Sequence, residues 1–331
     1  MTDKPTNEDF LRLADPMRRE LLAHCYRMMG SVHDAEDLVQ ETYLRAWRAY
    51  DGFEGRSSLR TWLYRIATTT CLTALDSRSR RPLPTGLGAP SIEARAPLVQ
   101  DHEVPWLEPV PDALAGAGAD DPASIVTSRE SIRLALIAAL QHLPPRQRAV
   151  LILRDVLKWK AAEVAEAVGV STAAVNSILQ RARAQLDEVS PSLDDPVEPL
   201  SEEQRAQLDR YVAAFENYDI DSLVHLFTKD AIWEMPPFVG WYQGPETIVE
   251  LIKVQCPAER SGDLKLIPIA ANGQLAFAMY HREDGVYRQF SIMVPTFSGE
   301  SISHVGMFFE EKLFQTFGLP STLEGEASAT K

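Results

Sequence analysis

Residues 161–183, AAEVAEAVGVSTAAVNSILQRAR, constrain the chain more than any other stretch, because two helices and the turn between them follow from local chemistry. Helix formers from Ala161 to Val168 run into Gly169, which reaches the positive φ of a helix-ending turn without a Cβ clash. Ser171 then offers an oxygen to cap a second helix. On that helix Val175, Ile178, Leu179, Ala182 and Leu186 recur at helical spacing as one apolar face. The other side presents Ser171, Thr172, Ala173, Asn176, Ser177, Gln180, Arg181 and Arg183, small or polar groups suited to a major groove and its phosphates. The segment predicts a helix-turn-helix. A bare helical hairpin core is the alternative, and DNA binding is the stronger reading.

A net charge of −14 over 331 residues is unexpected for a DNA binder until it is resolved along the chain. Residues 125–186 carry 9 basic and 4 acidic groups, whereas residues 187–331 carry 10 and 24. The helix-turn-helix is therefore basic and an acidic domain follows it, one that will not itself bind a nucleic-acid backbone. The length suggests two or three domains. The polar first ten residues predict no leader peptide, and no apolar run is long enough to predict a membrane span. Cys25, Cys71 and Cys256 lie far apart, without metal-ligand spacing or a disulfide framework, which predicts a cytoplasmic protein without metal or cofactor.

Residues 8–80 are expected to be mostly helical, with the last helix running from Leu59 to Arg80. Residues 81–124 change character, with Pro82, Pro84, Pro90, Pro97, Pro105, Pro109, Pro111 and Pro122, and predict a linker. Within it stands Val104-Pro-Trp-Leu-Glu-Pro-Val-Pro-Asp112, whose Trp106 and Leu107 are expected to dock on a domain surface. Helices resume over 125–188, and 189–200 form a second, acidic linker. From 201 to 318 two helices (Ser201–Tyr218 and Ile220–Phe227) precede a strand at Ala231–Met235 and a helix at Gly244–Val254. Strands at Leu264–Ile269, Gln274–His281, Val286–Pro295 and Ser301–Glu310 follow. That order predicts an α+β domain with an antiparallel sheet, with 319–331 as a flexible tail.

The run Asp34–Trp47 has two faces. Ala35, Leu38, Val39, Thr42, Ala46 and Ala49 form an inward stripe. Asp37, Gln40, Glu41, Leu44 and Trp47 form another, acids beside large apolar groups, which points to a protein partner. Beyond it, Phe53, Arg56, Ser57, Arg60, Trp62 and Arg65 interleave aromatic, hydroxyl and basic groups, the set that single-stranded DNA needs. One of Trp62 and Tyr64 is expected in the core.

The Asp34–Trp47 run, the segment from Phe53 to Ala67 and Leu143-Pro-Pro-Arg-Gln-Arg-Ala-Val-Leu151 with its helix-turn-helix together resemble bacterial sigma factors of the extracytoplasmic-function (ECF) group. The resemblance covers about 8–80 and 125–188. It implies two all-α domains that bind RNA polymerase core at its β′ clamp helices and β flap, together with promoter DNA. It places Asp37, Gln40, Glu41 and Trp47 against the clamp helices, the 51–58 loop and following helix on the −10 element, and the second helix of the helix-turn-helix on the −35 element. One departure is Val175-Asn-Ser-Ile-Leu179, where many relatives carry basic residues, so Asn176 is free to pair with an adenine edge instead.

Residues 201–318 resemble the SnoaL-like, nuclear-transport-factor-like cone, through Tyr211–Phe215, Asp219–Val224, Leu226–Ile232 and Trp233–Pro237. Relatives of that fold include enzymes, which makes His225, Asp230, Glu234, Tyr242, His281 and His304 the candidates for chemistry. No pair sits at a diagnostic spacing, and a domain without catalysis is expected. The proline-rich Trp106 patch resembles the linker motif of sigma factors with fused SnoaL-like extensions, in which the extension regulates. The whole predicts a non-enzymatic initiation factor regulated by its own cone, with binding of a small-molecule ligand there left open. A ligand-responsive helix-turn-helix repressor and a cone-domain enzyme on a sigma-like scaffold are the alternatives.

Overall fold

The computed structural model describes residues 7–115, 131–189 and 201–324. The start of the helices expected at 125, most of the second linker and the end of the tail lie outside these. Two compact units form, one from residues up to Arg81 together with those following from Leu107, the other from Pro82–Trp106 together with the C-terminal residues.

The first unit is helical. It comprises α1 (Asn7–Ala14), α2 (Arg18–Met29), α3 (Val32–Ala49), α4 (Leu59–Leu75), the short α5 (Asp112–Ala115), α6 (Leu134–Leu140), α7 (Pro145–Leu151), α8 (Ala161–Val168) and α9 (Thr172–Val189). Local chemistry sets most ends. Gly30 closes α2 at φ 72°, and Ser31 caps α3 by accepting from the Asp34 amide. Ser58 caps α4 in the same way. α4 ends at Leu75, one turn and more before the expected Arg80. There Arg78 and Arg81 reach back to Asp34 at 2.6 and 2.5 Å, which draws the chain off the helix axis. The expected inward stripe of α3 is buried except for Ala49, exposed at the helix end.

The helix-turn-helix follows local rules throughout. Gly169 takes φ 70° and returns its N–H to Ala165, and the Ser171 hydroxyl accepts from Ala174. Val175, Leu179 and Ala182 are buried, Ile178 and Leu186 partly so. Each fully buried aliphatic side chain contributes about 1.5–3 kcal/mol, so this stripe fixes the roll of α9.

The two helical domains pack on one another through buried arginines. Arg148 of α7 donates to the Met28 carbonyl at the end of α2, to Gln141 Oε1 (2.9 Å) and to the Leu143 carbonyl (3.2 Å). Arg27 of α2 donates to Ser131 O at 3.0 Å. Burial pulls both guanidinium pKa values down to about 10, in Arg27 against the opposing influence of Tyr64 and Glu20 and in Arg148 against that of Cys71. A Cβ at Gly30 would lie 3.0 Å from Gln141, so glycine lets that side chain approach.

The second unit is α+β. α10 (Glu202–Glu216), capped by the Ser201–Gln204 box, and α11 (Pro245–Gln255) pack on a sheet of β1 (Phe227–Glu234), β2 (Trp241–Gln243), β3 (Leu264–Ala271), β4 (Gln274–Glu283), β5 (Val286–Ser298) and β6 (Ser301–Phe308). The sheet order is β2-β1-β6-β5-β4-β3. The short α12 (Lys312–Thr316) and β7 (Thr322–Leu323) follow, β7 pairing with β5. β1 runs parallel to β6, so the sheet is mixed rather than wholly antiparallel as expected. The second expected helix is a 3-10 segment, Ile220–His225, and Phe227 opens β1 instead. The core gathers Tyr211, Phe215, Phe227, Trp233 and Phe277 between the helices and one sheet face.

The proline-rich segment is held along the cone. Leu83, Pro84 and Ala94 are buried. Trp241 Nε1 donates to the Gly88 carbonyl (2.8 Å) and the Ser91 amide to the Trp241 carbonyl (2.7 Å). Gln255 donates to the carbonyls of Ala94 and Ala96, the Val239 amide to Val99 O, and the Asp101 amide to Pro237 O. Proline rigidity lowers the entropy lost in ordering such a segment. Residues 82–106 are a strap on the cone.

Candidate polymerase and nucleic-acid interfaces

On α3, Asp37, Gln40, Leu44 and Trp47 are exposed and Glu41 is partly so, all on one side at helical spacing. Leu44 and Trp47 keep 49% and 43% of their surface open, unusual for large apolar groups on a helix that has an apolar stripe buried elsewhere. The Glu41 carboxylate accepts from Arg45 at 2.7 Å across one turn.

Phe53, Tyr50 and Trp62 form an aromatic cluster at the loop before α4, with Phe53 and Trp62 centroids 4.8 Å apart. Trp62 is partly buried, whereas Tyr64 is 1% exposed and is the core member of that pair. The arginines here are already paired with carboxylates: Arg56 with Glu54 (2.6 Å), Arg60 with Glu20 (2.7 Å) and Arg65 with Glu166 of α8 (2.7 Å). Ser57 lies at the edge of this loop, partly buried. The Trp159 ring stands edge-on to Tyr64 at 6.0 Å, so the α4 residues expected to face DNA lie beside the second helical domain.

On α9, Thr172, Ala173, Asn176, Ser177, Gln180, Arg181 and Arg183 are exposed, as is Ser171 before it. Arg183 forms a two-point pair with Asp155 at 2.9 and 2.6 Å, which raises its pKa through that bond and charge. Arg181 Nε leans on the Ser177 carbonyl at 3.4 Å.

Trp106 and Leu107 part company. Trp106 Nε1 donates to Asp101 O at 2.7 Å, within the strap, while Leu107 is 1% exposed in the helical unit. The residue that sequence reasoning missed is Glu108. Its Oε2 accepts from Ser31 Oγ (2.8 Å) and the Val32 amide (3.1 Å) and lies 3.0 Å from His33 Nδ1. Its backbone accepts from the Tyr26 hydroxyl at 2.7 Å and donates to Gly30 O at 2.9 Å. Burial works to raise the Glu108 pKa, but the bonds and charges of His33, Ser31 and Arg81 hold it below the usual carboxylate value. An acid inside a buried apolar patch was the available signal.

In the cone, Glu234 and His304 meet: Oε1 lies 2.7 Å from His304 Nε2, while Oε2 accepts the Thr85 amide of the strap at 2.7 Å. The Glu234 side chain is 2% exposed. Both its oxygens are thus engaged. His225 and Asp230 are exposed, His281 lies 3.4 Å from Glu283, and Tyr242 is buried against Ser91. Tyr211 Oη and Trp233 Nε1 are buried donors with no acceptor among the described residues. No helix among the described residues is long and apolar enough to cross a membrane.

Three families match along the chain: Sigma-70 region 2 over residues 13–81, Sigma-70 region 4 over 133–186, and a SnoaL-like domain over 208–309. A Mycobacterium tuberculosis protein, ECF RNA polymerase sigma factor SigG, is 61% identical over 316 residues, covering 95% of this chain and 85% of that one. SigJ of the same organism is 31% identical over 72% of this chain and 70% of its own. The crystal structure of SigJ superposes with a TM-score of 0.61 at 24% identity, covering 92% of this chain and 98% of the other, which supports the shared fold. The chain belongs to the extracytoplasmic-function RNA polymerase sigma factors and carries a C-terminal SnoaL-like domain.

Proposed function

We propose that this chain holds core RNA polymerase by the α3 face of Asp37, Gln40, Glu41, Leu44 and Trp47, the acids meeting basic groups and the two apolar residues meeting the β′ clamp helices. Phe53, Arg56, Ser57, Arg60, Trp62 and Arg65 then unstack and hold −10 bases, and α9 enters the −35 major groove. The observation that carries this reading is an exposed acid and tryptophan face on a chain 61% identical to a sigma factor over nearly its full length. A repressor does not need that face. Such a factor works in the cytoplasm, where its polymerase is.

The cone acts in this reading as a regulator without catalysis, a reading supported by Glu234, both of whose oxygens are engaged, one by the protein's own backbone. Tyr211 and Trp233, two buried donors lacking acceptors, favour a small ligand with an acceptor oxygen in the cone's interior. Within the helical unit, Tyr64 and Arg65 lie against Trp159 and Glu166. Promoter engagement requires those contacts to part.

Run-off transcription with core polymerase across a promoter library tests the reading. Initiation from promoters sharing −10 and −35 elements is expected, and no initiation from any promoter overturns it.

A further inference from the structure

The residues that flank the strap on either side are fastened at one place, the first turn of α3. At its beginning, Arg81 and Arg78 bridge to Asp34, the third residue of the helix, with the Arg81 and Asp34 side chains only 16% exposed. At its end, one peptide bond beyond Leu107, Glu108 places its carboxylate on Ser31 Oγ and on the Val32 amide. A helix N-terminus has amides without intrahelical partners and a positive dipole end, and a carboxylate there satisfies both. Ser31 supplies the ordinary local cap to Asp34 N, so Glu108 is a second cap delivered from 75 or more residues along the chain.

Between these two anchors, Pro82–Trp106 is held by the cone through the bonds of Glu234, Trp241, Gln255, Val239 and Asp101 described above. α3 is also the helix that carries the proposed polymerase face, with Asp37 one turn beyond Asp34. Tension or slack in the strap therefore has a path to that helix through the covalent chain and the cap.

We propose that Glu108 is a positioning residue for polymerase binding, the cap through which the cone-held strap sets the polymerase-binding helix. This rests on the proposed α3 face. Glu108 touches neither polymerase nor DNA in this scheme. It fixes the first turn of α3, and a change in how the cone holds the strap, by a ligand or by polymerase itself, loads or releases that cap.

The test is a double-mutant cycle on the full chain, read as affinity for core polymerase. Trp241→Ala loosens the strap at a site away from the cone's buried core, and Glu108→Ala removes the cap. Glu108→Ala is expected to weaken core binding about five- to tenfold, the size of a lost helix cap, with Glu108→Asp recovering most of it and Glu108→Gln less. Trp241→Ala is expected to change core affinity in the parent chain and to have no further effect with Glu108→Ala present. A merely structural cap would not produce that coupling. Strictly additive effects, or no effect of Glu108→Ala on core affinity in a chain that remains folded by circular dichroism, overturn the proposal. The triple variant Asp37→Ala, Gln40→Ala, Glu41→Ala separates the two failures. If it binds core normally, the α3 face is wrong. If it binds weakly while the cycle is additive, only the coupling through Glu108 is wrong.

Discussion

Arg148 donates to the carbonyl of Met28, and by that bond the domain carrying the helix-turn-helix closes over the end of α2. The guanidinium is buried among carbonyl and amide oxygens with no carboxylate among its bonded partners, and burial lowers its pKa to about 10, so it remains charged at neutral pH. A buried charge held only by neutral acceptors, with its Nε left without a partner among the described residues, recovers hydration when the interface opens, which makes such a junction specific without making it strong. That suits the proposed reading, in which the two domains separate to reach two promoter elements.

The contact beside α4 gives a prediction about opening. Trp159 is 6% exposed against Tyr64, and its removal forfeits about 3–5 kcal/mol of packing, whereas the Arg65–Glu166 pair is half in water and contributes under about 1 kcal/mol. Trp159→Ala is therefore expected to expand the chain in small-angle scattering and raise affinity for a single-stranded −10 oligonucleotide, with Glu166→Ala changing little. Equal effects from the two variants would contradict this ranking.

On α9, Asn176 and Gln180 point outward without a side-chain ion pair, while Arg183 is a charge held by Asp155. Asn176→Ala is expected to change the preferred −35 bases, at about 1–3 kcal/mol for a lost two-point contact. Arg183→Ala is expected to weaken all sequences alike and to lower the slope of affinity against salt by about one. Promoter-library selection with a salt titration reads both, and matching profiles for the two variants would refute the assignment.

The helix-turn-helix, the cap at Ser171 and the exposed face of α3 were legible in the sequence because each depends on residues within a turn or two of one another. What escaped it lies at long range. The bond from Thr85 to Glu234 and the bonds from Ser31 and Val32 to Glu108 join parts of the chain that no periodicity connects, so a prolyl segment read as linker where it is a strap. The parallel pairing of β1 with β6 likewise depends on a register set by the whole sheet. Glu234 and His304 were both visible as candidates, but only the fold brings them within 2.7 Å.

His24 supplies a pH prediction. It is fully buried, its Nε2 is 2.9 Å from Thr68 Oγ1, and burial with the nearby Arg27 charge lowers its pKa from 6.5 to about 3. The unfolded chain then binds the proton more readily between those values, so the stability from keeping His24 neutral is complete above pH 6.5 and is lost as pH falls toward 3. The slope is about 1.4 kcal/mol per pH unit. Thermal unfolding from pH 7.5 to 5 is expected to show this slope, reduced in His24→Gln. An unchanged slope in the variant would assign the effect elsewhere.

In the cone, the Tyr211 hydroxyl is buried without an acceptor among the described residues, which costs about 1–3 kcal/mol. Tyr211→Phe is expected to raise the unfolding temperature of the protein alone while weakening the response to a ligand with an acceptor oxygen. A lowered unfolding temperature would show that the hydroxyl already has a partner in the resting protein.

The central claim is that the outward face of α3 binds polymerase. Its most direct measurement is a fluorescence titration of the full chain against core RNA polymerase, comparing the parent with Asp37→Ala, Gln40→Ala, Glu41→Ala combined. These side chains are exposed or partly exposed and do not line the inward stripe, so the fold is expected to survive. The account predicts saturable binding by the parent and a loss of tenfold or more in the variant at unchanged helix content. Equal affinity in the two would contradict it.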